Sequence, residues 1–315
     1  MMKKHLLGTL VGMVLLIVLC LNVAAVDTLS PMTQSFLRKS DVSSKIPDEL
    51  LADTLHIVRP GSLEALSASI TPQNDVRVNG TSIADQTVRL TINHSNYLSI
   101  RALAEALFPD AQVTWQDGQC SVTAPGLALT ARLGDPYLVV NGRYLYVPDG
   151  IRMEQHSLIA PVRALCTAFG VAVTWDSTQD AIDITGTPSP LSGGYDEESL
   201  LWLSRVINAE SGNQPLIGKI AVGTVILNRV DSSLFPDTIR DVIFDSRYGS
   251  HQFSTVTNGS IYDTPNAESE IAAKLCLDGA RAAGSSLYFN VDGLNCWASN
   301  NRPYAMTIAG HDFYL

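Results

Sequence analysis

Charge is scarce in this 315-residue chain. Asp, Glu, Lys and Arg make up 17% of it, against about 25% in an ordinary soluble domain. The surface must therefore lean on Ser, Thr, Asn and Gln, a mix that suits an exported protein. Basic residues are the scarcer kind: 21 Lys and Arg stand against 31 Asp and Glu, a net charge of −10. A chain this acidic lacks the cationic field that holds a phosphate backbone, so nucleic acid is not an expected partner. Adhesion to anionic lipid or teichoic acid by charge alone is disfavoured for the same reason. Cysteine is also scarce. Five residues cannot staple a disulfide scaffold, so packed apolar cores must hold the fold. A Gly-x-Ser-x-Gly elbow and a His-Glu-x-x-His zinc motif are both missing, and no metal or other cofactor is expected.

What is present suffices for folding. Hydrophobic residues reach 46%, which excludes wholesale disorder, and the length predicts about two domains. Lys3 and Lys4 form a positive start to an apolar run from Leu6 to Leu21. That run is shorter than the roughly 20 residues a spanning helix needs. Val23 and Ala25 sit at the −3 and −1 positions of a cleavage site, predicting a signal peptide over residues 1–25. An uncleaved membrane anchor is the alternative. Residues 26–73 are polar and carry Pro31, Pro47, Pro60 and Pro72, which predicts a flexible tether.

An internal repeat follows. Leu98-Ser-Ile-Arg-Ala-Leu103 leads to Val113-Thr-Trp115, and Ala160-Pro-Val-Arg-Ala-Leu165 leads to Val173-Thr-Trp175. Arg101 matches Arg163, and counted from each Trp, Val122 matches Ile182. The apolar spacing is helical before each Trp and alternates after it, so each unit reads as a short helix followed by a hairpin. These motifs resemble the stalk-like domain named after the N-terminal region of copper amine oxidases, over residues 74–187. The resemblance implies a non-catalytic module that spaces the chain from its anchor or contacts the wall or a partner protein. It implies no copper, since His94 and His156 have no ligand partner at metal-site spacing. Residues 188–194 lie within a Pro-, Ser- and Gly-rich stretch and read as a linker.

Residues 195–315 form the second expected domain. Asp196 is a suitable N-cap for a helix from about Glu197 to Ala209, with Gly212 as a left-handed stop. Further helices are predicted at about Leu216 to Val230, after Pro236, and at Asn266 to Leu277. Strands are predicted at Ser286 to Asn290 and Met306 to Tyr314. The fold class is α+β, mainly helical here with a small sheet. Glu210 closes the first helix, where the macrodipole and the apolar Val206, Ile207 and Ala209 disfavour its negative charge. A carboxylic acid kept protonated near neutral pH is what glycosidic cleavage requires.

Asn208-Ala-Glu-Ser-Gly-Asn-Gln-Pro215 followed by Gly218-Lys-Ile-Ala-Val-Gly-Thr-Val-Ile-Leu-Asn-Arg-Val230 resembles the cell wall hydrolase family of spore cortex-lytic enzymes. Phe235-Pro-Asp, Gln252-Phe-Ser254, Tyr262-Asp-Thr-Pro265 and Ile308-Ala-Gly-His-Asp-Phe-Tyr314 continue the likeness in order. The resemblance implies a lysozyme-like fold acting on peptidoglycan outside the cytoplasm, secreted or wall-associated, with Glu210 as catalytic acid. Gln252 and Ser254 become candidates for contacts to N-acetyl groups, Tyr288, Trp297 and Tyr304 for sugar stacking, and His311 for orienting a loop. One departure stands out: the family's frequent second Glu is Gln214 here, which cannot act as base or nucleophile. A lytic transglycosylase, whose substrate supplies the nucleophile, is the expectation. A muramidase-type hydrolase using Asp263 or Glu268, an endopeptidase built on Cys296 and His311, and a non-catalytic wall-binding protein remain the alternatives. The mature cysteines Cys120, Cys166, Cys276 and Cys296 allow three pairings, with Cys276 and Cys296 one candidate bond.

Overall fold

The computed structural model describes residues 75–247 and 249–315. The expected signal peptide and tether lie outside the described residues. No helix among the described residues is long and apolar enough to cross a membrane.

The repeat region begins with β1 (Val76–Val78), β2 (Thr81–Ser82), β3 (Arg89–Ile92) and β4 (Ser95–Ser99), and α1 (Ile100–Leu107). A meander follows: β5 (Gln112–Gln116), β6 (Gln119–Ala124), β7 (Leu127–Arg132), β8 (Tyr137–Val140) and β9 (Arg143–Tyr146). Then come β10 (Arg152–Glu154), β11 (Ser157–Pro161), α2 (Val162–Phe169), β12 (Ala172–Asp176) and β13 (Ala181–Thr185). Helix followed by hairpin is therefore an incomplete description of the repeat. Each helix is also preceded by a hairpin, and the first copy's second hairpin runs on into three more strands, so the region is β-rich.

Three sheets cover one core. The orders are β12-β13-β1-β2, β10-β11-β4-β3 and β5-β6-β7-β8-β9. The two copies meet at the antiparallel β4–β11 pair, where Leu98 faces Ala160. β1 closes the second copy by pairing parallel with β13. Leu98, Leu103, Val122 and Leu129 from the first copy and Ile159, Leu165, Phe169 and Ile182 from the second share that core. The expected linker is laid against α2: Ser189 N donates to Phe169 O at 3.0 Å and Leu191 N to Ala168 O at 3.0 Å. Gly170, at φ +67°, permits this, because a Cβ there would lie 1.7 Å from the Ser189 carbonyl oxygen.

Helices dominate the remainder. α3 (Glu197–Ser211) starts at Asp196, whose carboxylate accepts from Ser199 N at 2.8 Å. α4 (Leu216–Val230) follows Pro215 and is buried on every side from Gly218 to Leu227, the pattern of a central helix. α5 (Ile239–Ile243) and α7 (Ala267–Leu277) pack against it, while α6 (Ser254–Asn258) and a short 3₁₀ turn at Ser260–Tyr262 pack on α3. β14 (Tyr288–Val291), α8 (Trp297–Asn301), β15 (Tyr304–Ile308) and β16 (His311–Tyr314) complete the chain. The last sheet has the order β14-β16-β15. Gly223 marks the tightest helix contact: a Cβ there would lie 2.7 Å from Cys276 Sγ on α7 and 2.9 Å from Ile207 Cδ1 on α3.

Two local expectations fail. Gly212 has φ −57° and ψ −25°, a right-handed conformation, so α3 turns its corner without a left-handed stop. The strand expected over Met306 to Tyr314 is a hairpin, broken at Ala309 by a φ of +52°. The two apolar patterns flanking the linker also meet. Tyr137, Tyr144 and Tyr146 pack on the helical core, and Asp278 after α7 accepts from Arg143 Nε and Tyr144 N, both at 2.8 Å, and from the Tyr195 hydroxyl.

Candidate active site

Glu210 lies in the last turn of α3 and is partly buried. Its position is tied down by its neighbours. Asn208 Oδ1 accepts from Asn266 N at 3.1 Å, and Asn266 Nδ2 donates to Gly212 O at 3.2 Å, joining the end of α3 to the start of α7. Ser211 Oγ donates back to Ile207 O at 2.7 Å. The carboxylate itself accepts from Thr255 Oγ1 of α6 at 2.6 Å. Burial pushes the Glu210 acid above the ordinary carboxylate range, and the Thr255 hydrogen bond and the nearby Arg229 charge oppose it without overcoming it. The sequence pointed to the right direction, yet desolvation is the dominant cause.

Arg229 is the unexpected partner. It lies near the end of the apolar α4, is 5% exposed, and donates from Nε to Leu287 O at 2.7 Å. Its guanidinium stands 4.9 Å from the Phe235 ring centroid, 5.1 Å from Phe253 and 5.6 Å from Tyr288. Burial lowers its pKa to about 10, opposed by Tyr288, Asp245 and Glu210, so it remains a cation at neutral pH. A lone Arg interrupting the buried face of a helix was the available signal.

Phe235 and Tyr288 also line a cleft of about 700 Å³ together with Leu234, Gln252, Trp297 and Arg302. Arg229 thus connects the cleft wall to Glu210. The Tyr288 and Trp297 rings lie 5.6 Å apart at a tilt of 58°, and the Arg302 guanidinium lies 4.8 Å from the first ring and 5.2 Å from the second. Trp297 is 59% exposed, so its aromatic face is open to a ligand. Three of the expected contact residues, Gln252, Tyr288 and Trp297, are therefore brought together. Arg302 joins them although nothing in its local sequence distinguishes it.

The other three are placed elsewhere. Ser254 is exposed at the first position of α6, a helix that directs the next residue, Thr255, at Glu210. Tyr304 is on the edge strand β15, its hydroxyl sharing a hydrogen bond with Thr307 at 2.8 Å. His311 is only 5% exposed and packs on Phe289 and Phe313 at 5.5 and 6.4 Å. Burial lowers its pKa, so it is a neutral core imidazole.

Cysteine chemistry finds no support in the geometry. All four described cysteines are free thiols, which removes the candidate Cys276–Cys296 bond. Cys276 is fully buried and burial pushes its pKa up to about 12. Cys296 caps α8, accepting from Ser299 N at 3.4 Å, while the Ser299 hydroxyl accepts from Cys296 N at 2.9 Å. Burial raises the Cys296 pKa, but the hydrogen bonds from Ser299, Ala298 and Asn290 outweigh it and hold the thiol below its ordinary value. Its partners are those of a helix cap, and His311 contacts aromatic rings.

Position 214 is structural. Gln214 Oε1 accepts from Gly310 N at 3.2 Å, and its backbone carbonyl accepts from the buried Lys219 ammonium. Lys219 also pairs with Glu268, which commits one of the two acids suspected as a base. The other, Asp263, is exposed at the end of the 3₁₀ turn.

Comparison with known proteins finds matches to two parts of the chain. Residues 213–314 match the family described as Cell Wall Hydrolase, and residues 77–184 match the copper amine oxidase N-terminal domain. Glu210 falls just outside the first match. A spore cortex-lytic enzyme of Oceanobacillus iheyensis is 35% identical over 133 residues, covering 42% of this chain and 47% of that protein. One from Bacillus cereus is 36% identical over 129 residues, covering 41% and 48%. The matched region thus spans about half the length of these curated relatives. Among solved structures, the catalytic domain of the Bacillus cereus SleB protein is 33% identical, with 39% of this chain and 94% of that one covered at a TM-score of 0.35. The catalytic domain of the germination-specific lytic transglycosylase SleB from Bacillus anthracis is 32% identical, with 40% and 100% covered at a TM-score of 0.36. The C-terminal region thus matches the cell wall hydrolase family model, and the region ahead of it matches the copper amine oxidase N-terminal domain.

Proposed function

We propose that this protein cleaves the bond between N-acetylmuramic acid and N-acetylglucosamine in peptidoglycan, as a lytic transglycosylase acting outside the cytoplasm. The observation that carries the reading is Glu210: a partly buried acid, raised above its ordinary value by burial and influenced by Arg229, whose guanidinium packs on the cleft residues Phe235 and Tyr288. The names of its relatives support the substrate class, and the helices around Glu210 suit a lysozyme-like fold. Protonated Glu210 donates to the glycosidic oxygen as the bond to muramyl C1 breaks. The carboxylate left behind takes the proton of the muramyl C6 hydroxyl, whose oxygen closes on C1 as a 1,6-anhydro ring. The proton lost is regained and no water is consumed. One carboxyl group serves both steps, and the nucleophile is already tethered to the reacting sugar, which raises its effective concentration.

Arg229 stabilises the carboxylate formed midway and limits how far the acid's pKa rises. Trp297 and Tyr288 offer faces for pyranose CH groups, and Gln252 and Arg302 offer hydrogen bonds to N-acetyl or carboxylate substituents. The segment ahead of the catalytic region serves as stalk or wall contact, with residues 188–194 as the joint. Purified peptidoglycan digested by the full mature chain, free of other enzymes, tests the reading by mass spectrometry. Muropeptides lighter by one water than hydrolytic products are expected. Reducible muramic ends as the main product would replace the transglycosylase by a hydrolase.

A further inference from the structure

The duplication built two clefts that the catalytic reading does not use. In the first, Arg101 of α1 and Val113, Thr114 and Trp115 of β5 face the β10–β11 turn carrying His156, around about 570 Å³. In the second, Arg163 of α2 and Val173, Thr174 and Trp175 of β12 face the β3–β4 turn carrying His94, around about 150 Å³. Each cleft therefore takes its Trp and Arg from one copy and its His from the other. Trp115 is 48% exposed and Trp175 47%. Core packing does not account for an exposed Trp retained in both copies.

The turns carry a second, independent sign. Asn79-Gly80, Asp117-Gly118 and Asn141-Gly142 are two-residue hairpin turns with glycine at the second left-handed position. That is the favoured chemistry for such turns. The two turns that face the clefts are Asn93-His94, at φ 44° and 65°, and Gln155-His156, at φ 44° and 61°. An imidazole replaces the expected glycine in both, at a steric cost glycine avoids. Strain kept twice at one place points to function there.

We propose that the cleft formed by Trp115, Arg101 and His156 binds a glycan whose pyranose ring carries a carboxylate, and that the Trp175 cleft is its narrower duplicate. The indole face stacks on the CH face of a pyranose. The guanidinium, held at the cleft wall by Glu105 at 3.2 Å and by the Val113 carbonyl at 3.3 Å, keeps further N–H donors for a carboxylate. A chain of net charge −10 offers an anion no general attraction, so the ligand's acid needs this local cation. In the second copy Arg89 stands 5.7 Å over the Trp175 ring. Counted back from the two turns, buried Ile151 holds the corresponding place in the other copy. The lactyl carboxylate of muramic acid, free wherever no stem peptide is attached, and the carboxylates of uronic-acid polymers share this chemistry. Only the expectation that peptidoglycan is the natural source rests on the proposed function.

The test uses the full chain bearing Glu210→Gln, so that no turnover occurs. Retention on insoluble peptidoglycan, on a polyuronate and on neutral chitin is compared for this chain and for the same chain with Trp115→Ala, Trp115→Phe, Trp175→Ala or Arg101→Gln added. Trp115→Ala is expected to weaken binding to an acidic glycan at least about fivefold, the loss typical of a buried aromatic anchor. Trp115→Phe restores part of it, and Trp175→Ala costs less. Arg101→Gln abolishes the preference for acidic over neutral glycan. Trp115-dependent retention on polyuronate alone supports the cleft and moves its ligand away from peptidoglycan, leaving the Glu210 chemistry to be judged by product analysis. Unchanged retention in a folded Trp115→Ala chain on both acidic polymers overturns the proposal, as does equal binding of chitin that ignores Arg101.

Discussion

Replacing Glu210 by Gln should separate catalysis from stability, moving them in opposite directions. Glutamine keeps a carbonyl oxygen where Glu210 accepts from Thr255 Oγ1 at 2.6 Å, so a hydrogen bond of about 1 kcal/mol survives. The proton needed by the leaving oxygen is gone, a loss of about 10²–10⁴ in rate. That equals about 3–5 kcal/mol of transition-state free energy. Stability responds through the ionisation that burial opposes. The folded pKa is raised above the unfolded one, chiefly by burial, so the native state holds the extra proton between the two values. Wild-type stability therefore falls as pH rises through that window and stays lowered above it. The Gln chain lacks this penalty. Urea midpoints should coincide for the two chains below the ordinary carboxylate range and favour the Gln chain at neutral pH. Lysis of peptidoglycan suspensions, followed by turbidity, should fall by the stated factor. A folded Gln chain that lyses near the wild-type rate would refute the assignment, and one less stable at neutral pH would refute the burial argument.

Two further outcomes follow from single contacts. Thr255→Val removes the hydrogen bond that holds Glu210 down, so the alkaline limb of the rate profile should move to higher pH, measured as lysis rate against pH. An unmoved limb would mean that another group sets it. Asp278→Ala strips the acceptor shared by Arg143, Tyr144 N and Tyr195; its side chain is 3% exposed, so chemical denaturation of the full chain should show a loss of about 3 kcal/mol. A loss under about 1 kcal/mol would show that this junction does not hold the repeat region to the helices.

The reach of the sequence followed the range of the interactions involved. α4 occupies Leu216–Val230 as expected, because Pro215 starts it and its apolar run is local information. The repeat was legible because Val-Thr-Trp recurs with Arg upstream, although its strands before each helix were not, being short and edged by unusual His turns. α6 and α8 escaped notice because α6 has no side-chain cap and α8 is capped by a cysteine thiol, a rare cap, whereas the equally short α5 has a Thr238 cap. Glu210 could be singled out from its helix end and apolar neighbours. Thr255, Arg229 and Arg302 approach it or the cleft only through tertiary packing. The same holds for the tyrosines of β8 and β9 that pack on the helical core.

Position 214 shows why a missing carboxylate need not mean a missing mechanism. The Gln214 side chain is enclosed between two glycines: a Cβ on Gly218 would lie 3.1 Å from Gln214 Cβ, and one on Gly310 would lie 2.8 Å from Gln214 Nε2. Its Oε1 is spent on Gly310 N and its backbone carbonyl on Lys219. A glutamate in the same pocket would find the same backbone N–H and serve as acceptor there. The residue thus pins the α3–α4 corner to the β15–β16 turn, and the α3 end of that corner carries Glu210. What the corner must supply is rigidity near the acid, and an amide supplies it as well as a carboxylate. A mechanism needing only one carboxyl group is consistent with that economy, because the second reacting oxygen comes from the sugar.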